Sequence, residues 1–162
     1  MTEQKELFVE MALNSWNDQL NRSGKLFDSL TDAELEQHVA PNRNTGKYLL
    51  GHLTAVHDAL LPLLGLGDKL YPELEEAFVR NPESAQPYGP GIQQLRGYWN
   101  IVNQTLYSKF NGMSTEEWFD RHNSVSPEDF KKEPHRNKLN VLLSRTNHLS
   151  YHRGQLIFLQ KK

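Results

Sequence analysis

The chain has 162 residues, a formal net charge of −2 and no cysteine. Its length suits one domain with a single core, and its charge excludes the basic surface that nucleic-acid phosphates require. Without cysteine there is no disulfide, no thiolate metal site and no cysteine nucleophile. The longest nearly apolar run, residues 59–66, is far shorter than the roughly 20 residues of a membrane span. The first residues lack the charged-then-apolar order of a signal peptide. We therefore expect residues 1–162 to form one cytoplasmic domain that binds neither nucleic acid nor membranes.

Four long stretches carry apolar side chains at the 3.6-residue period of an amphipathic helix. The first covers residues 5–21. The second begins near Thr45 and should kink or end at Pro62, because proline lacks a backbone donor and clashes with the preceding turn. The third covers residues 92–110 and the fourth residues 137–160. These stretches predict an all-α fold, specifically a four-helix bundle.

The connections between these stretches are long and contain helix-start signals. Residues 31–34 and 114–117 have the pattern of a capping box, in which two side chains satisfy each other's free backbone donors. Ser126 is followed by a proline, which suits the first position of a helix. We expect a short helix at each of these places. Residues 81–91 are predicted to be irregular because proline and glycine interrupt them.

Three histidines fall within apolar stripes of the predicted helices. His148 and His152 are four residues apart, so that their Cβ atoms lie about 5–6 Å apart on one helix face. His52 lies in the apolar stripe of the second helix. Each histidine alone could be an ordinary packing residue, but burying three that meet is costly unless something uses their lone pairs. Neutral imidazole is a favoured ligand of zinc, nickel, copper and iron, so we predict one divalent metal ion on these three residues.

The positions of these histidines along their helices predict the topology. His52 lies seven residues after Thr45, and His152 lies eight residues before Gln160, the predicted end of the fourth helix. If the second and fourth helices are antiparallel, the histidines lie at one level, whereas a parallel pair leaves a mismatch of about 6 Å. The long link before the third helix allows the second and third helices to be parallel. We therefore predict up-down-down-up order, with short helices in the long connections.

Three further side chains are candidates for a catalytic role. Arg145 lies three residues before His148 and could bind an anionic substrate group, although such an arginine often pairs with an acid or extends to water. Gln155 lies three residues after His152 and could orient a ligand, or could be a surface amide. Tyr48 lies four residues before His52 and could line the mouth of a pocket, or could simply pack in the core.

Two segments resemble the DinB-like (DNA-damage-inducible) superfamily: Gly51-His52-Leu53, and His148-Leu-Ser-Tyr-His152-Arg-Gly-Gln-Leu156. The resemblance covers almost the whole chain in helix order, length and loop placement, and its most specific part is H-x-x-Y-H-R-G-Q. It implies a four-helix bundle in which His52, His148 and His152 hold one zinc, nickel or other divalent ion. The characterised enzymes of that superfamily are S-transferases or isomerases that use low-molecular-weight thiols such as bacillithiol or mycothiol.

The function that we expect is therefore a metal-dependent transferase. An external thiol would bind the metal as a thiolate and attack an electrophilic small molecule, since the chain itself has no cysteine. A metal-dependent hydrolase and a non-catalytic metal-binding stress module remain alternatives. A ferritin-like di-metal oxidase is disfavoured because no Glu-x-x-His repeat is present. Whether the chain forms a homodimer, and whether it is an enzyme at all, are left open by the sequence.

Overall fold

The computed structural model of the chain describes residues 2–85 and 89–160, and all regular structure in these residues is helical. The prediction of an all-α protein is confirmed. Strand-like pairing among the same residues is limited to two isolated bridges, His38 with Thr45 and Arg121 with Asn137. None of the helices described is long and apolar enough to cross a membrane.

The α-helices are, in chain order, α1 (Thr2–Ser29), α2 (Asp32–Leu35), α3 (Gly46–Asp58), α4 (Leu60–Leu63), α5 (Glu73–Glu75), α6 (Ile92–Asn111), α7 (Thr115–Trp118), α8 (Pro127–Lys132) and α9 (Lys138–Leu156). Helix α1 is longer than the predicted range 5–21, because its apolar stripe continues past Gly24 to Leu26 and Phe27, which are buried. Helix α9 is followed by one 3-10 turn, Ile157–Leu159.

The short helices begin where the sequence predicts them. Thr31 and Glu34 form a complete capping box at α2, and Ser114 and Glu117 form another at α7. The hydroxyl of Ser126 accepts a hydrogen bond from the backbone at the start of α8, whose first residue is proline. Side-chain oxygens thus satisfy backbone N–H groups that have no partner inside a helix.

Helix α3 ends at Asp58, and Pro62 lies inside the next short helix, α4, so the predicted kink occurs one turn before the proline. Asp58 is almost completely buried. Its two carboxylate oxygens accept hydrogen bonds from the backbone N–H groups of Leu70 and Tyr71, each at 2.8 Å. A charged acceptor therefore fixes the chain where it turns back after α4.

The link between α4 and α6 contains more helix than the sequence predicts. Helix α5 continues into a π-helical segment, Glu76–Arg80, and Glu83–Ala85 form a 3-10 turn. Of the segment 81–91, which was predicted to be irregular, residues 86–88 lie outside the described residues. The π-helical segment matters for the site because Phe78, within it, is buried against α3.

Aromatic side chains connect α1 to α6. Trp16 contacts Phe110, and Phe27 contacts Trp99, with ring centroids 6.2 and 5.2 Å apart. Residue numbers thus rise along α1 as they fall along α6.

Polar contacts connect α1 to the C-terminal part of the chain. The side chain of Arg153 donates a hydrogen bond to Gln19, and that of Gln160 donates one to Ser29. In these pairs the residue numbers rise together. On α3, by contrast, Gly46 faces Leu159 and the later residue His52 faces His148, so residue numbers rise along α3 as they fall along the α9 region.

A side chain of α6 holds the C-terminal end of α1. The guanidinium of Arg96 donates hydrogen bonds to the carbonyl oxygens of Phe27 and Leu30, the second at 2.7 Å, and lies 3.4 Å from the Asp32 carboxylate. The last turn of α1 has no basic residue of its own. Arg96 therefore supplies the donors and the positive charge that a helix C-terminus favours.

Candidate metal centre

Three histidine side chains from two helices converge on one point. His52 comes from α3, and His148 and His152 from adjacent turns of α9. The Nε2 atom of His148 lies 3.2 Å from Nε2 of His52 and 3.1 Å from Nε2 of His152. Residues 96 positions apart in the sequence are thereby brought together.

The outer nitrogen of two of these rings is held by an acceptor. Nδ1 of His52 lies 2.8 Å from the carbonyl oxygen of Phe78, and Nδ1 of His152 lies 2.8 Å from Oε1 of Gln155. A carbonyl oxygen only accepts, so each Nδ1 carries the hydrogen and each neutral ring presents a lone pair at Nε2. Such partners orient metal-binding histidines and fix their tautomer.

Burial keeps the three rings neutral. Burial, followed by the charges of His152, His52 and Arg145, lowers the pKa of His148 to about 4. Burial also lowers the pKa of His52 and of His152. At neutral pH the Nε2 lone pairs of His52 and His152 therefore both point at Nε2 of His148. If His148 carries its hydrogen at Nε2, that single N–H cannot make a full hydrogen bond to both neighbours.

These observations fit a divalent cation. One ring nitrogen from each of the three histidines lies within 4.8 Å of the other two, so the group could hold a metal ion. Each ring is only half-buried, so the site is accessible from outside. Within residues 2–85 and 89–160, no aspartate or glutamate belongs to the group. Three protein ligands without a fourth are typical of a catalytic rather than a structural zinc site.

Gly51 and Phe78 determine where His52 is held. A Cβ atom on Gly51 would lie 2.5 Å from carbon atoms of the Phe78 ring, so only glycine permits this close packing. The backbone of Phe78 accepts the hydrogen bond from His52. Gly51 therefore allows Phe78 to lie where its carbonyl oxygen accepts the hydrogen bond from His52.

The structure places Tyr48 beside His52 but directs its hydroxyl elsewhere. The two rings are nearly parallel, at an interplanar angle of 7°, with centroids 6.4 Å apart. The Tyr48 hydroxyl donates a hydrogen bond of 2.7 Å to the carbonyl oxygen of Asn81. Burial, and then the charge of Glu83, raises the pKa of Tyr48. Tyr48 thus forms a neutral wall beside the histidines.

Arg145 lies one helical turn before His148, and it has no acidic partner among the described residues. Its Nε atom is buried without a hydrogen bond, and no ion pair of Arg145 occurs in the part of the chain that is described. Burial lowers the pKa of its guanidinium, which nevertheless stays charged. The charge of Arg145 also contributes to the lowered pKa of His52 and His148. A half-buried cation without a counterion favours an anion from outside.

Sequence reasoning gave no role to His57, which lies fully buried next to this region. Its ring packs between Trp16 and Trp99, with centroids 4.8 and 5.0 Å away, and its Nδ1 is 2.8 Å from Oδ1 of Asn103. Burial lowers its pKa to about 3. The burial of His57 could have been predicted from the composition of α3, because a helix that is apolar on almost every face is buried all round.

Two concave regions differ in their relation to the histidines. A pocket of about 250 Å³ is walled by His152, Gln155 and Tyr151 of α9, by Leu49 of α3 and by residues of the loop 39–44. A larger groove of about 710 Å³ runs between α1 and α6, and none of the three histidines lines it. The smaller pocket is therefore the one relevant to chemistry at the histidines.

The structure brings together His52, His148 and His152 as the sequence predicted, with Gln155 as the partner of His152. A scan of protein-family models and a search of curated proteins both gave no match to this chain.

Proposed function

We propose that this chain is a metal-dependent transferase of the DinB-like kind, which uses a low-molecular-weight thiol on an electrophilic small molecule. The observation that carries the proposal is the convergence of three neutral imidazole rings, in which Nε2 of His52 and Nε2 of His152 lie 3.2 and 3.1 Å from Nε2 of His148. We expect the ion to be zinc or nickel, both of which are among the divalent metals that imidazole ligands suit.

The proposal includes the arrangement of the long helices as a four-helix bundle in up-down-down-up order. The order of contacts supports it. In the contacts between α1 and α6, residue numbers increase along one helix while they decrease along the other. In the contacts of α1 with Arg153 and Gln160, the residue numbers of both partners increase together. Helix α3 meets the α9 region in reverse order, since Gly46 faces Leu159 while His52 faces His148. This arrangement puts the three histidines at one level of the bundle.

A divalent ion bound here would supply Lewis acidity and a positive charge that stabilises a thiolate. The protein's own side chains would orient the metal-binding histidines and select the ligand that binds beside them. Gln155 and the Phe78 carbonyl hold two of the histidines in the ligand tautomer. Arg145 would bind a carboxylate of the thiol or of the substrate. The ring of Tyr48 would keep water from one side of His52.

Thiol chemistry is supported by two features of the chain. It contains no cysteine, so a sulfur nucleophile has to come from a second molecule. Three neutral ligands leave the charge of the ion uncompensated, and Arg145, whose charge acts on His52 and His148, is also positive. Such a site favours an anion such as a thiolate. We include a cytoplasmic location in the proposal, since that compartment keeps small thiols reduced.

Two rivals remain. A metal-dependent hydrolase would use the same ligands but needs a general base, and among the described residues no carboxylate joins the three histidines. A non-catalytic metal-binding module would need neither a base nor an accessible site. The half-buried histidines and the pocket beside His152 favour an enzyme over this module.

The first experiment is elemental analysis of protein purified without a histidine tag. We expect one divalent ion per chain in the natural sequence, and loss of the ion in His148→Ala. His122→Ala is the matched control, since His122 lies outside the cluster, and it should keep the ion. Full stoichiometric metal in His148→Ala would refute the assignment.

The second experiment tests the reaction class. Thiols added to cobalt-substituted protein should produce a sulfur-to-metal charge-transfer band, and the protein should then transfer the thiol to an electrophile. If no thiol changes the cobalt spectrum while the protein cleaves esters, the hydrolase replaces the transferase as the function.

A further inference from the structure

The pocket beside His152 is lined by hydrogen-bond donors. Arg43, Asn42 and Asn44 come from the loop 39–44, and Tyr151 and Gln155 come from α9. Among the residues that the structure describes, no aspartate or glutamate lines this pocket. Arg43 is exposed, and in the residues that the structure describes its guanidinium makes no ion pair and no side-chain hydrogen bond. The pocket therefore has a net positive charge without a counterion.

Gln155 links the pocket to the histidines. Its Oε1 atom accepts the hydrogen bond from His152, so its amide nitrogen, for which no partner occurs in the described residues, is left as a donor on the pocket wall. A ligand group bound to the amide nitrogen of Gln155 would therefore lie close to His152, because the same side chain is hydrogen-bonded to His152. The pocket and the histidine cluster are thus neighbouring parts of one site.

The loop that carries Arg43 has a defined shape. Its backbone is closed by hydrogen bonds from Val39 N–H to the Asn44 carbonyl and from Arg43 N–H to the Ala40 carbonyl, both at 3.1 Å. Asn42 adopts a positive φ of 58°, a conformation that asparagine tolerates better than most residues. The ring of His38 also bonds to the Arg43 carbonyl. Arg43 is therefore presented from a fixed turn.

We propose that this pocket binds a carboxylate group of the small molecule that reacts at the histidines, with Arg43 and the Gln155 amide as its donors. The inference rests on the proposed function, to which it adds the chemical class of the ligand. A guanidinium binds a carboxylate through two parallel hydrogen bonds. Among the described residues that line the pocket, Arg43 has no second cation beside it, which matches the single charge of a carboxylate better than the double charge of a phosphate. Arg43 and Arg145 would then bind different parts of the ligands.

The test compares two thiols that differ in one group. Cobalt-substituted protein is titrated with 6-mercaptohexanoate and with its neutral amide, 6-mercaptohexanamide, and the dissociation constants are read from the charge-transfer band. We expect the acid to bind about tenfold more tightly, the difference that one charge-assisted hydrogen-bonded pair typically gives. Arg43→Gln should abolish this preference without weakening the amide. Arg22→Gln, which changes an exposed arginine of α1, should retain it.

A second variant separates the pocket from the metal. Gln155→Glu keeps an acceptor for His152 but replaces the amide donor with a negative charge, so metal content should be retained while the preference for the acid is lost. Equal binding of acid and amide in the natural protein, or a preference that persists in Arg43→Gln, would overturn the inference and leave the proposed function standing.

Failure of the proposed function gives a different result. If neither thiol changes the cobalt spectrum, thiol chemistry is refuted, and the pocket is then judged by calorimetric titration with hexanoate and hexanamide. A preference for hexanoate that requires Arg43 supports the carboxylate pocket, and no preference overturns it.

Discussion

Replacing Gly51 with alanine adds one methyl group at the most closely packed point near the site. The new Cβ atom would lie 2.5 Å from carbon atoms of the Phe78 ring, a separation that real Cβ atoms essentially never show. The ring has to move, and the Phe78 backbone, whose carbonyl holds Nδ1 of His52, has to move with it. The substitution therefore tests packing and metal binding together.

The size of the effect follows from a comparison with Gly97, which has no neighbouring atom within 4 Å of its own added Cβ. Glycine to alanine at such an open helical position stabilises by about 0.4–1 kcal/mol. Overpacking at Gly51 costs about 1–3 kcal/mol, so the two variants should differ by about 2 kcal/mol in the free energy of unfolding. For a chain of this size that difference is about 4–8 °C in Tm. Loss of a ligand's hydrogen-bond partner lowers metal affinity by about 10–100-fold.

Urea unfolding of the metal-free variants measures the first quantity, and zinc competition with a chelator measures the second. Gly97→Ala should be at least as stable as the natural protein and should bind zinc equally well. Adding Phe78→Leu to Gly51→Ala should restore part of both losses, because the smaller side chain makes room for the methyl group. If Gly51→Ala is as stable as Gly97→Ala, the reasoning about this contact is wrong.

Two further predictions concern buried ionisable groups. The pKa of His57 is about 3 in the folded protein, against an ordinary value of 6.5, so only the unfolded chain takes up this proton between these pH values. The contribution of His57 to the free energy of unfolding should therefore be at its full value above pH 6.5 and fall by about 1.4 kcal/mol per pH unit from there down to about pH 3, in addition to the slope from other groups. The slope should be shallower in His57→Gln, and an unchanged slope would contradict the assignment. Asp58→Asn should cost about 1.5–3 kcal/mol, since an amide offers one acceptor oxygen to the two backbone donors of Leu70 and Tyr71. Chemical denaturation measures this loss, and a change below about 0.5 kcal/mol, the usual size for a surface substitution, would contradict it.

The long helices and the histidine cluster could be predicted because both depend on local periodicity. Apolar side chains at helical spacing define the stripes of α3 and α9, and His52, His148 and His152 fall inside those stripes. The capping boxes could be recognised for a similar reason, since their two side chains are only three residues apart. Each signal is contained within a few turns of chain.

Other features depend on contacts between distant segments and left no such signal. The π-helical segment Glu76–Arg80 is packed against Gly51 of another helix, and its role as the partner of His52 depends on that contact. The burial of His57 between Trp16 and Trp99 requires three helices to meet. The pocket at Arg43 likewise exists only because the loop 39–44 lies against α9.

The contact of Arg96 with the end of α1 has a consequence for the order of folding. Its hydrogen bonds reach back 69 and 66 residues, to Phe27 and Leu30. On the ribosome, the last turn of the first helix to be made must wait for α6 before its carbonyl groups find these partners. A fragment that ends before α6 would fray at this turn. In the complete chain, amide hydrogens at the end of α1 and the start of α6 should exchange with solvent as one cooperative unit.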